Sequence, residues 1–270
     1  EVPQEKVKKA REWLEKYCKN IAYNHSNFTV EKLEVQIRSY YALRRLCDER
    51  KIDFLGIKAH GDLTDWYVTM DLAEAFLNDP YDMDGSHEPI VAATESDMDG
   101  ALTMQLFKYM TGKPVLFADV RHYEKSEDVW FFSNSGTSAT YFAGGSDHFQ
   151  DNLKNVSLLP ESKDYPAGGG TVHYFAHPGK ITFARLARKL DEYYLTVVPA
   201  EIVNFDEKEM QRLGNLSTPQ WPVAFTKLSV SADEFLAKYP CNHIHGVYGD
   251  WVPEWAKVAE ILGIKMQILQ

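Results

Sequence analysis

Residues 90–119, IVAATESDMDGALTMQLFKYMTGKPVLFAD, decide how the rest of the chain is read. Two apolar runs, IVAA and PVLFA, flank a segment with helical apolar spacing, and the order strand, helix, strand predicts a βαβ unit with a parallel sheet. The alternation extends upstream. Residues 3–20 and 29–50 carry apolar side chains at helical spacing, with Leu33, Ile37, Tyr40, Tyr41, Arg44 and Cys47 on the second face; DFLGIKA at 53–59 reads as a short buried strand and 62–77 as a further helix. After about residue 120 the texture changes to aromatic and β-branched runs bounded by Gly, Pro and Asn, among them VWFFSNSGTSATYFAGG and EYYLTVVPAEIVNF. That pattern predicts a second, mainly antiparallel β domain, a barrel or a sandwich. The tail GDWVPEWAKVAEILGIKMQIL predicts a helix with Pro253 near its start and Gly263 at its end, then a strand.

The 270 residues are 44% hydrophobic, enough for a large core, and the formal charge of −10 argues against nucleic acid or an anionic membrane surface as the main partner. A small molecule is the better expectation. Cys18, Cys47 and Cys241 fit neither a disulfide framework nor a zinc or redox spacing, so a reducing cytoplasm is expected. The charged start EVPQEKVKKAREWLEKY is no signal peptide, and no stretch approaches about 20 uninterrupted apolar residues.

Glu95, Asp97 and Asp99 stand at alternate positions after the first apolar run. A calcium loop would need oxygen ligands at positions 1, 3, 5 and 12 with Gly at 6. Gly100 at position 6 places the three acids correctly but puts Leu106 at position 12, and the second DMDG, ending at Gly85, puts Pro80 at position 1. Acids in a helix's first turn need no further explanation, since each interacts favourably with the positive end by about 0.3–1 kcal/mol. That accounts for Asp97 and Asp99 better than for Glu95, which ends a strand, where open α/β sheets bind ligands. Asp119 ends the next apolar run, 24 residues on. If the two strands are parallel neighbours, their carboxylates emerge side by side, fit to bind a divalent metal, to share acid and base roles, or to do both; as strand-end acids they are equally ordinary loop solubilisers.

In CNHIHGVYGD an extended backbone would turn Cys241, His243 and His245 to one face, making a carboxylate, carboxylate, imidazole set plausible, although a His in an aromatic strand is more often a hydrogen-bonded core residue. AGGGTVHY has neither the following helix nor the Lys of a phosphate loop, and Ser135, Ser138 and Ser146 lack a G-x-S-x-G context. Trp66, Trp130, Tyr141 and Trp251 are expected mostly in the core, with some lining a sugar pocket, and Asn242 either bonds a sugar hydroxyl or caps the strand.

FLNDPYDMDGSHEPIVAATESDMDGALTMQLFKYMTGKPVLFADVRHY, the SNSGTSATYFAGG segment and the closing NHIHGVYGDWVPEWAKVAEILGIKMQIL together resemble the L-fucose isomerase family and, more distantly, L-arabinose isomerases. The likeness implies an open parallel α/β, Rossmann-like substrate domain at 1–112 and a mainly antiparallel C-terminal β-barrel domain at 113–270. It also implies a metal site of Glu95, Asp119 and His243, with His243 preferred to His245 by its place before the closing helix. By the same likeness the chain would be a manganese-dependent aldose–ketose isomerase working through a cis-enediol, with Glu95 and Asp119 as the catalytic pair, a sugar substrate and a homo-oligomeric assembly. Members carry a further α/β domain ahead of this region that residues 1–50 do not supply, so an excised portion or a shortened relative is expected. Two other functions compete. One is a non-catalytic sugar- or metal-binding module; the other is a glycoside hydrolase using Glu95 and Asp119, which would leave the His without a role.

Overall fold

The computed structural model describes residues 2–135, 138–162 and 165–270. Its first half runs α1 (Gln4–Tyr17), β1 (Asn20–Ile21), α2 (Val30–Arg50), β2 (Phe54–Gly56), α3 (Asp71–Asn78), β3 (Tyr81–Asp82), β4 (Gly85–Ser86), β5 (Val91–Ala93) and α4 (Met98–Thr111). Then follow β6 (Leu116–Glu124), β7 (Val129–Ser133), α5 (Phe149–Leu153), β8 (Ser157–Pro160), β9 (Gly170–His173), β10 (Gly179–Lys189) and β11 (Glu192–Ile202). The chain closes with α6 (Glu207–Gly214), β12 (Val223–Leu228), α7 (Ala232–Lys238), β13 (His243–Tyr248), α8 (Val252–Leu262) and β14 (Lys265–Ile268). No helix among the described residues is long and apolar enough to cross a membrane.

The second half is built on a mainly antiparallel sheet in the order β10-β13-β6-β7-β12-β11-β14, in which β10 also pairs with β11. That pairing closes the strands into a ring, with β14 attached to β11 in parallel. Alternation along the strands sorts side chains to two faces. Leu116 and Ala118, Trp130 and Phe132, Ile181 and Phe183, Val198, Ala224 and Ile244 share one buried cluster inside the ring. Residues of the other parity, Phe117, Ala184, Leu186, Leu195, Val197 and Val247, meet Ala101, Met104 and Phe107 of α4 and Trp255 of α8 in a second cluster. The helix that follows β5 is thereby pressed against the outer face of the ring.

The expected open parallel sheet is much reduced. Parallel pairing in the first half is limited to β2 with β5, while β6, the predicted third parallel strand, lies antiparallel between β13 and β7. Gly112 caps α4 in the left-handed conformation, and α4 rests on β10 and β13, so the chain turning back at Gly112 enters the ring. β1 pairs in parallel with β8, tying the first residues to the second half. The helix expected over 62–77 is interrupted: a π-helical turn at Leu63–Tyr67 gives way to an extended Val68, and Thr69 N bonds Gly168 O at 3.0 Å before α3 begins. Trp66, expected in the core, is 85% exposed, whereas Trp130 and Tyr141 are buried. The other expected helices, the closing strand and the face of α2 stand as read, with Arg44 turned to the buried Asp82 carboxylate.

Candidate metal centre

Glu95 sits in a 3-10 turn (Thr94–Ser96) between β5 and α4, and both Glu95 and Ser96 have left-handed backbones at φ 57° and 55°. Such a conformation costs a side-chain-bearing residue about 1–2 kcal/mol and persists only where the surroundings impose it. Here Ser96 N bonds Ile57 O at 2.9 Å, and the turn lies so close to β2 that a Cβ on Gly56 would come within 3.1 Å of Ser96 Cα. The carboxylate of Glu95 is thus held out over the ring's edge, one third exposed.

Asp119 is not strand-terminal. It lies within β6, directly opposite His243 on β13 and Ser133 on β7, and its side chain shares the α4-facing side of the sheet with Phe117. The register of β6 against β7 shifts between Val120 and His122, leaving Arg121 as the extra residue; such bulges re-aim side chains. Arg121 Nη1 comes to 3.5 Å from Asp119 Oδ2, and Asn134 Nδ2 donates to Asp119 Oδ1 at 3.2 Å. His243 and His245 flank the ring of Phe117 at centroid distances of 4.7 and 4.8 Å, and Cys241 precedes the strand.

These elements bring Glu95, Asp119 and His243 together, with one ligand atom from each within 4.8 Å of the others. His243 Nε2 is 3.3 Å from Glu95 Oε2 and 3.3 Å from Asp119 Oδ1, yet it is buried and aligned for a hydrogen bond with no described residue. His243 Nδ1 is 2.8 Å from Asp97 Oδ2. With the Nδ1 proton given to Asp97, Nε2 is aimed between two carboxylates, and a cation that displaces the Nε2 proton would meet a lone pair there. Two oxygens and an imidazole nitrogen with an unspent lone pair fit a divalent cation, and the mixed oxygen and nitrogen set suits manganese, iron or zinc. The neighbouring calcium loop does not form: Asp97 caps α4 by accepting from Gly100 N at 2.9 Å, and Asp99 bonds Arg188 and Tyr193 at the surface.

Charge in the metal-free cluster is uneven. His243, with Glu95 the next closest influence on it after burial and Asp97, is raised to about 9 because the three carboxylates outweigh the burial that opposes its charge. The Glu95 carboxyl is held below its ordinary range by His243, against burial, with His60 helping. Asp119 moves the other way, pushed up chiefly by burial. For Asp97, burial is overcome by hydrogen bonds from His243 and Arg185, which hold it well below the carboxylate range. His245 lies outside the cluster: fully buried, it faces Arg185, and burial pushes its imidazole well below the ordinary value.

Contacts continue around the carboxylates. His60 Nε2 is 3.3 Å from Glu95 Oε1 and its ring stacks on Tyr165; Tyr165 meets the edge of Trp221, and the Arg121 guanidinium lies 4.8 Å over Trp221. Sequence reasoning missed His60, Arg121, Asn134, Tyr165 and Trp221, and gave Asp97 only the role of an acid in a helix's first turn. The AHG of residues 59–61 has no motif to mark it, but the DVRH run around Asp119 placed Arg121 two residues from a named acid. Asn242, considered for a sugar contact, accepts Val120 N through its backbone carbonyl at 2.8 Å.

A β2–β5 pair and a mainly antiparallel ring, joined by α4, make a mixed α/β protein in which an acid, acid, imidazole group could hold a metal. Residues 51–112 match L-fucose isomerase, second N-terminal domain, and residues 132–270 match L-fucose isomerase, C-terminal domain. The chain belongs to the L-fucose isomerase family. It is 25% identical over 249 residues to L-fucose isomerase of Haemophilus influenzae (strain ATCC 51907 / DSM 11121 / KW20 / Rd), covering 77% of this chain and 42% of that protein. It is 26% identical over 232 residues to L-fucose isomerase of Streptococcus pneumoniae serotype 2 (strain D39 / NCTC 7466), covering 73% and 38%. Over 74 residues it is 42% identical to L-fucose isomerase of Citrobacter koseri, covering 27% and 12%. The chain spans about two fifths of the length of the first two relatives.

Proposed function

We propose that this chain is the core of a metal-dependent aldose–ketose isomerase of the L-fucose type, with Glu95, Asp119 and His243 holding Mn²⁺ or a similar cation. The observation that carries the reading is the unspent His243 Nε2, buried 3.3 Å from each of two carboxylates. We read residues 1–112 as the substrate domain and 113–270, with its closed ring, as the family's barrel domain, in a homo-oligomer. Three free cysteines suit a reducing, cytoplasmic setting.

When bound by Glu95, Asp119 and His243, the cation would supply positive charge against the negative charge that builds on the first two sugar oxygens. The chain's own carboxylates move the protons. One takes the proton from C2 of the open-chain aldose, the C–H electrons form the C1–C2 double bond, and O1 is protonated to give a cis-enediol. The other delivers a proton to C1 while the O2 proton is released to solvent, replacing the one solvent gave to O1, and O2 becomes the ketose carbonyl; exchange with solvent resets both carboxyls, so C1 is reduced, C2 oxidised and no outside electron carrier is consumed. Carboxyls whose surroundings push them apart divide acid and base roles. Glu95, held low and facing outward, suits the base; Asp119, raised by burial, suits the acid.

A second reading, a sugar- or metal-binding module without turnover, is favoured by one fact: the chain covers only 42% and 38% of the two relatives above. One experiment separates the two. With saturating Mn²⁺ and L-fucose in deuterated water, an isomerase core incorporates deuterium into the sugar and makes ketose, and Glu95→Gln stops both. Cation and sugar binding without exchange would leave the module and overturn the isomerase.

A further inference from the structure

We infer that Asp97, locked by Arg185, is a positioning residue that fixes the tautomer and orientation of His243 for cation binding. The inference rests on the reading that Glu95, Asp119 and His243 hold a cation. It begins with Gly100, the residue that made the DMDG stretch resemble a calcium loop. An added Cβ there would come within 2.4 Å of Asp97 Oδ2 and 2.8 Å of His245 Nε2. A side chain is excluded because a carboxylate and an imidazole are packed against the first turn of α4 at that point.

The carboxylate is over-determined. Gly100 N donates to Oδ1 at 2.9 Å, Arg185 Nη2 donates to Oδ1 at 3.0 Å, and Arg185 Nη1 reaches Oδ2 at 2.5 Å. Paired, fork-like contacts of this kind set geometry as well as energy. Arg185 is in turn held by His245: Nη1, which can only donate, lies 3.0 Å from His245 Nε2, so that nitrogen accepts. His245 therefore carries its proton on Nδ1, and it lies in the same strand as His243, two residues on. What remains of Asp97 Oδ2 faces His243 Nδ1 at 2.8 Å. A carboxylate locked by a guanidinium accepts a proton from His243 Nδ1, so the proton that a cation displaces is the one on Nε2, the nitrogen that faces Glu95 and Asp119. An N-cap alone needs one oxygen toward Gly100 N. It needs neither the second oxygen on His243 nor a buried arginine 88 residues away in the chain.

Partners that orient a ligand histidine are worth about 10- to 100-fold in metal affinity. Asp97→Asn keeps a good N-cap, but its amide presents one acceptor and one donor where two acceptors stood, and a donor facing His243 Nδ1 selects the opposite tautomer. Mn²⁺ titration calorimetry should show Asp97→Asn binding about 10- to 100-fold more weakly than wild type, with Asp99→Asn within twofold. Nitrogen NMR of the wild-type chain loaded with Zn²⁺ should show the His243 proton on Nδ1 and the metal on Nε2, a readout that survives even if the variant misfolds. Metal on Nδ1, or Asp97→Asn binding within twofold of wild type, overturns the inference. A wild-type chain that binds no cation overturns the metal-site reading beneath it instead.

Discussion

Asp79 and Asp119 are both buried carboxylates, 0% and 4% exposed, in different parts of the molecule. Asp79, just past α3, accepts Thr140 N at 3.1 Å, Thr140 Oγ1 at 2.6 Å and Tyr141 N at 2.8 Å. Both of its oxygens are met by the loop they hold in place. Asp119 has a side-chain amide at 3.2 Å and a guanidinium at 3.5 Å, and it faces a second carboxylate and an imidazole nitrogen with no hydrogen-bond partner among the described residues. Burial of charge alone does not mark a site. Convergence of groups that satisfy each other poorly does, and the two aspartates should separate cleanly when each is removed.

The largest effect should fall on the unsatisfied cluster. Glu95→Gln should lower isomerisation by about 10²- to 10⁴-fold, the range for loss of a positioned base, with the melting temperature little changed. Normal turnover in that variant would remove Glu95 from the chemistry. The satisfied aspartate should behave in the opposite way. Asp79→Ala leaves two buried N–H groups and a hydroxyl without their acceptor, so urea unfolding should show a loss of about 3 kcal/mol or more, while Mn²⁺ affinity in the surviving folded fraction holds.

A smaller, graded effect comes from pH. Burial pushes the Asp79 carboxyl up to about 7, against the pull of Thr140 and Tyr141. The folded chain therefore keeps that proton where the unfolded chain, with an ordinary carboxyl near 4, has lost it. The contribution to stability is full below about pH 4 and is lost as pH rises through 7, by at most about 1.4 kcal/mol per pH unit. Urea midpoints at pH 5 and pH 7.5 should differ less in Asp79→Asn than in wild type; an equal difference would mean that another group carries the slope. The smallest effect belongs to Asp99, whose partner Arg188 is well exposed: Asp99→Asn should change stability by less than about 0.5 kcal/mol.

Much of the local structure was legible because it depends on local chemistry. Asp97 and Asp99 stand at the start of α4, Gly263 ends α8 in the left-handed conformation, and α2 turns its apolar face inward. The destination of β6 was not legible. Leu116, Phe117 and Ala118 are buried on both faces, and a strand covered on both sides has the same apolar run whether its neighbours are parallel or antiparallel. The two acids converge even so, because α4 lies against the ring and carries the Glu95 turn to the face on which Asp119 projects. The break at Val68 depends on Gly168, nearly 100 residues away in the chain, and no local pattern records it. Asp97 was passed over for another reason: a first-turn acid already has a sufficient local explanation, and its second set of partners, Arg185 and His243, is distant in sequence.

A divalent cation held by Glu95, Asp119 and His243 would be visible to anomalous scattering. Crystals of the chain soaked in Mn²⁺ and measured near the manganese absorption edge test for it most directly. An anomalous peak should stand among Glu95, Asp119 and His243 Nε2 and be absent from Glu95→Gln crystals soaked in the same way. A peak elsewhere with none among these three side chains, or no peak at saturating Mn²⁺, would contradict the proposed site.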